Sequence, residues 1–299
     1  MRPIRASAFA AVVAAGAWPV VAMSGCGSAF SAASATDGGA STDAEIPGDG
    51  GASNDAASDG GEGGVSASWC STRDVRFCAD FDETNEISAL LGSWSSYEQA
   101  GGTFSLDTGM DVPSPPNALM VAATGNAQTL VIQTMPAIST RPTSARLEFD
   151  LRIDDAGPVA NLSAAVFAAI IEGTTTQGGV VSIAIGNGPQ LAAVWQSASD
   201  AGMTAGNGFG SAPSTAPFPT LGVWSGRFAI EIQYGGTEAA KTACAQIYQG
   251  SIALLGSCTP LPDSFADPHE LSIALGQYSA GFDNTGTIQV RFDDVTFNY

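Results

Sequence analysis

The chain has 299 residues, a formal net charge of −19, one histidine and, in Lys241, a single lysine. Seven acids and two arginines lie before residue 65, so residues 65–299 keep 22 Asp and Glu against 8 Lys and Arg, a net of about −14. That balance argues against a nucleic-acid partner, which needs a basic footprint, and against polyanionic ligands. The lone His269 argues against a Ser-His-Asp triad or a zinc site.

The chain opens with Arg2 and Arg5, then an apolar, alanine-rich run over 6–22, then Met23-Ser24-Gly25-Cys26. A charged start, a short apolar stretch and small residues before a cleavage point mark a secretory signal. The cysteine after the small pair makes the segment resemble a bacterial lipoprotein signal. The resemblance implies a signal peptide over 1–25 and a lipidated Cys26 opening the mature chain. It also implies export, with lipid anchoring in the bacterial cell envelope, at the outer membrane or cell surface. Contact with the membrane is then through the lipid anchor only. The alternative is an ordinary secretory signal with an incidental cysteine. A spanning helix is disfavoured, because the run is short of the ~20 residues needed and Trp18-Pro19 interrupts it.

Residues 26–64 read as a disordered tether. From 28 to 64 the chain is almost all Ala, Ser, Gly, Thr and Asp, without Lys or Arg, and Ile46 is its one large aliphatic residue. Such a segment buries too little apolar surface to offset its ordering entropy. Its acids share one sign and extend it.

Without Cys26, four cysteines remain: Cys70, Cys78, Cys244 and Cys258. Three pairings are open to them. Spacing favours Cys70–Cys78 and Cys244–Cys258, since each pair closes a short local segment. The exported context permits both disulfides.

Residues 65–299 read as one all-β domain. Short apolar alternations separated by Gly, Asn, Asp and Pro predict strands near 103–107, 118–122, 129–134, 145–153, 164–172, 180–185, 191–196, 226–234, 242–248, 252–255, 271–277 and 287–297. No stretch sustains a helical period with caps. The strictest alternation runs from Arg146 to Asp154. Leu147, Phe149, Leu151 and Ile153 point one way; Arg146, Glu148, Asp150, Arg152 and Asp154 point the other. Gln249-Gly250-Ser251 predicts a hairpin turn. The long segment 199–221 carries Phe209 and Phe218 as a candidate cover for a binding groove.

Four stretches carry a family resemblance: FCADFDE at 77–83, GVWSGRFAIEIQY at 222–234, AQIYQGSIALLG at 245–256 and IQVRFDDVTFNY at 288–299. Their order resembles a concanavalin A-like lectin/glucanase jelly roll of the laminin-G-like branch. The resemblance implies an antiparallel two-sheet β-sandwich following the disordered N-terminal linker. It also implies a structural calcium ion between the first and last strands, with Asp80, Asp82, Asp293 and Asp294 as candidate ligands. Turn and strand-edge acids are the competing reading of those four.

The fold hosts lectins, hydrolases, lyases and adhesion modules, so function must come from the site. The Glu-x-Asp-x-x-Glu strand of laminarinase-type members is matched at Glu148 and Asp150, but Ile153 stands at the third position. The Arg-x-Glu-x-Arg strand of alginate-lyase members is matched at Arg146 and Glu148, but Asp150 replaces the second arginine. Glu148 and Asp150 are therefore weak catalytic candidates. Arg146, Glu148, Asp150, Arg152 and Trp195 are candidates for ligand binding. The sequence reading is a surface-anchored, non-catalytic module binding carbohydrate or another extracellular polymer. Its alternatives are a polysaccharide-degrading enzyme of the same fold, hydrolase or lyase, and a structural or adhesion protein that binds another protein.

Overall fold

A computed structural model describes residues 69–109, 111–157, 165–173, 178–186, 190–199, 202–204, 218–237, 239–254, 259–261, 263–278 and 286–299. The signal segment 1–25, Cys26, the tether 26–64, Phe209 and Cys258 lie outside the described residues, as does the side chain of Trp195.

The described chain is nearly all β. In order it forms β1 (Phe77–Ala79), α1 (Ile87–Ser93), β2 (Ser96–Asp107), β3 (Ala118–Thr134), β4 (Ser144–Asp155), β5 (Ala165–Gly173), β6 (Gly178–Gly186), β7 (Gln190–Ser199), β8 (Gly202–Thr204), β9 (Trp224–Thr237), β10 (Ala240–Gln249), β11 (Ile252–Ala253), β12 (Thr259–Pro260), β13 (Glu270–Tyr278) and β14 (Thr287–Asn298). All the pairings are antiparallel, along the path β11-β10-β9-β4-β14-β3-β13-β5-β6-β7-β8. β1 adds to β14, β2 to β3 and β12 to β10.

β3 ties the two layers together. Its 119–124 half pairs with β14, and its 128–134 half pairs with β13. The two short strands expected at 118–122 and 129–134 are thus one long strand that changes partners midway. β2 follows it throughout and absorbs the bend in a bulge at Ala100/Gly102, where Gly101 takes a positive φ of 81°.

The core lies between the layers. β4 contributes Leu147, Phe149, Leu151 and Ile153; β9 contributes Phe228, Ile230 and Ile232; β13 contributes Leu271, Ile273 and Leu275. Phe149 stacks on Phe228 and meets Phe292 edge-on, with centroids 6.1 and 5.8 Å apart. Burying one such ring contributes roughly 1.5–3 kcal/mol. The predicted hairpin is present: Gln249 pairs with Ile252 across Gly250-Ser251, and Gly250 has a φ of 58°. Phe218 packs against this core.

α1 was not expected. Its seven residues span about two turns, too few to show a period, yet Leu90 and Leu91 are buried. The Cys70–Cys78 disulfide is formed as spacing suggested. Among the described residues no helix is long and apolar enough to cross a membrane.

Candidate functional site

The alternation of β4 builds the site. With its apolar residues in the core, Arg146, Glu148, Asp150, Arg152 and Asp154 must share the outer face. β9 lies beside it and alternates the same way, so Arg227 and Glu231 join that face. Arg146 stands opposite Glu231, Glu148 opposite Ala229 and Asp150 opposite Arg227. On the other side β14 places Thr296 opposite Glu148 and Asp293 opposite Asp150.

Two ionic networks result. In the first, Arg146 donates to Glu148 at 2.7 Å and to Glu231. Its guanidinium also sits 5.1 Å from the Tyr248 ring centroid. Arg227 donates to Glu148 at 3.4 Å and lies 3.8 Å from Asp150. The second network holds Arg152 with Asp154 and Asp111, and Arg291 with Asp154 and Asp107. The structure thus unites three sequence candidates, Arg146, Glu148 and Asp150, and puts Arg152 in a neighbouring cluster. The backbone of Trp195 pairs with Val181 on β6, in the other layer.

The two carboxylates of β4 titrate in opposite directions. Burial alone would raise Glu148, but hydrogen bonds and charge from Arg146 and Arg227 outweigh it and hold the carboxyl below the usual range. Asp150 is more deeply buried. Burial raises it, Arg227 opposes, and the Asp294 carboxyl adds to the rise, so it is pushed up to about 6. One is therefore a settled carboxylate, while the other holds a proton into the mildly acidic range.

The sequence reading missed Arg227, Glu231 and Trp69. The first two were legible in the alternation of 226–234, where Phe228, Ile230 and Ile232 face inward. Trp69, whose ring centroid lies 5.2 Å from the Arg227 guanidinium, carried no signal in its own neighbourhood.

The four acids expected to hold calcium gather where β1 meets β14, where most of their oxygens accept hydrogen bonds and Asp294 Oδ1 is buried without a partner. Asp80 accepts the backbone N–H groups of Cys70 and Asp82. Asp82 accepts that of Asn117. Asp293 accepts the N–H and hydroxyl of Ser114 and the N–H of Asp294. Burial, with the neighbouring Asp294 carboxyl, pushes Asp293 up to about 8. Among the described residues no three acids, histidines or cysteines are arranged to hold a metal ion.

No family model and no curated protein matches the sequence. Solved structures do match. The alginate lyase Aly36B is 11% identical with a TM-score of 0.43, over 61% of this chain and 80% of that one. The alginate lyase vAL-1 from Chlorella virus is 9% identical with a TM-score of 0.44, over 72% and 98%. The alginate lyase A1-II', a member of polysaccharide lyase family 7, is 13% identical with a TM-score of 0.39, over 65% and 82%. At these identities the likeness is one of fold. The described residues form a nearly all-β, antiparallel fold. The expected non-catalytic binding module is corrected by this comparison: the three structures named are alginate lyases, in line with the polysaccharide-degrading alternative.

Proposed function

We propose that the chain is a polysaccharide-degrading enzyme whose cleavage chemistry is carried by Glu148 and Asp150. The observation that carries this reading is the split between their environments on one strand face. Pairs of carboxyl groups whose surroundings push their titrations apart supply the base and the acid of glycoside cleavage. Glu148, ionised between two arginines, is the nucleophile or base. Asp150, protonated up to about pH 6, is the acid that protonates the leaving oxygen. Their Cα atoms are about 7 Å apart, two residues along a strand. That lets the carboxyl groups take spacings of roughly 5–9 Å, as such chemistry uses.

The partner is a glycan. Arg146, Arg152, Arg227 and Arg291 all have carboxylate partners. Acids outnumber arginines on the face, so a polyanionic chain would meet repulsion. This favours a neutral polysaccharide and hydrolysis over elimination from a uronate.

The protein is further proposed to be exported and lipid-anchored through Cys26, with the tether holding the domain off the membrane. The Cys70–Cys78 disulfide supports an oxidising compartment.

Incubation of the full chain with neutral and uronate polysaccharides tests the reading. New reducing ends report hydrolysis, and the ultraviolet absorbance of an unsaturated uronate reports elimination. Turnover of a neutral substrate is expected, with losses of roughly 10²–10⁴-fold in Glu148→Gln and in Asp150→Asn. No turnover on any substrate, or undiminished turnover in both variants, would sink it.

A further inference from the structure

Trp69 sits in a single 3-10 turn, Trp69–Thr72, none of whose residues is buried. The turn is half-buried at Trp69 and Cys70 and exposed at Ser71 and Thr72. It is tied down by Cys70, which is disulfide-bonded to Cys78 on β1 and donates its N–H to Asp80 Oδ2 at 3.0 Å. β1 in turn lies on β14, with Cys78 opposite Thr296.

These ties converge on Arg227. Its Nη2 donates to Thr296 Oγ1 at 2.9 Å and its Nη1 to the Asp294 carbonyl at 2.6 Å. The Trp69 ring faces the same guanidinium, with its centroid 5.2 Å away, and also holds Arg73 at 4.2 Å. A cation held on an aromatic face loses orientational freedom and gains electrostatic stabilisation. Among the described residues, Arg227 is the one arginine that reaches both Glu148 and Asp150.

We infer that Trp69 is a positioning residue for Arg227, and that the Cys70–Cys78 disulfide exists to hold it over that guanidinium. The inference rests on the reading of Glu148 and Asp150 as the cleaving pair. Trp69 touches neither acid; it acts through Arg227, which sets the charge around both. Loss of the disulfide frees the turn and leaves Arg227 to its bonds with Thr296 and the Asp294 carbonyl, less tightly fixed against the pair.

The test is a cycle on the full chain: Trp69→Ala, Cys70→Ser with Cys78→Ser, and all three together. Arg227 is followed by its Nε–H resonance, assigned through its loss in Arg227→Lys. In the wild type the ring displaces that resonance upfield. Trp69→Ala and the double serine variant should move it to the same place, and the triple variant no further. With a neutral polysaccharide, kcat should fall roughly fivefold in each and KM stay within about twofold, since a cation–aromatic contact is worth about 1 kcal/mol. Trp69→Phe should restore both readouts.

A resonance unmoved by Trp69→Ala overturns the inference, as do additive shifts in the triple variant. If the serine variant does not fold, the Trp69→Ala and Trp69→Phe pair decides alone. Absence of turnover in the wild type removes the cleavage reading, whereas the resonance still judges the positioning of Arg227.

Discussion

Glu172, near the end of β5, reaches across the sandwich and accepts a hydrogen bond from the hydroxyl of Tyr234 on β9. The pair joins the two layers inside the core, where Glu172 is only 2% exposed and its Oε2 has no partner. Burial pushes the Glu172 carboxyl up to about 8, and the Tyr234 bond opposes only part of that. Arg141, whose guanidinium stands 5.9 Å from the Tyr234 ring centroid, is the nearby cation.

This pair predicts alkaline lability. The folded carboxyl keeps its proton more tightly than the unfolded one, whose ordinary value is 4.5. Its contribution is complete below pH 4.5 and is lost as pH rises through about 8. Glu172→Gln keeps an acceptor for Tyr234 and removes the ionisation. Melting followed from pH 5 to pH 9 should show a steeper fall in Tm for the wild type than for the variant. Parallel curves would refute it.

The cleavage reading predicts a bell-shaped rate profile. Turnover should rise as Glu148 ionises, below the ordinary 4.5 of a glutamate, and fall as Asp150 loses its proton near 6. Arg227→Gln removes a charge that favours both carboxylates. Both limbs should then move to higher pH. A profile that stays flat from pH 5 to pH 8 would rule out Asp150 as the acid.

The sequence showed the wall of this site and not its corners. β4 could be read directly, because each apolar residue from Leu147 to Ile153 alternates with a charged one. β9 was weaker, because Ala229 interrupts its charged face between Arg227 and Glu231. Trp69 was invisible, because a disulfide and not its neighbours brings it to Arg227. At Asp80 and Asp293 the sequence shows the acids but hides the N–H groups that bond to their oxygens. Likewise β3 read as two strands, since nothing local records the change of partner from β14 to β13.

The hydrogen bonds taken up by Asp80, Asp82 and Asp293 predict indifference to calcium. Exhaustive chelation should leave Tm unchanged, and added calcium should not raise it. A fall on chelation that calcium alone restores would show that the Asp80, Asp82, Asp293 and Asp294 cluster rearranges around an ion, against the hydrogen bonding seen here.

Asp293 should be the costliest of the four to remove. It is fully buried and accepts two bonds from Ser114 and one from Asp294. It thereby pins the 111–117 loop to the bulge of β14, where Asp294 takes a positive φ of 50°. Truncation in Asp293→Ala leaves those donors buried without an acceptor, at about 1–3 kcal/mol for each group stranded. Asp293→Asn keeps one acceptor oxygen and should lose clearly less. Because burial holds the native carboxyl protonated up to about 8, the asparagine imitates its charge state at neutral pH. Chemical denaturation at pH 7 should therefore rank wild type above Asp293→Asn and both above Asp293→Ala. Equal losses in the two variants would mean that the loop is held by something other than the Asp293 carboxyl.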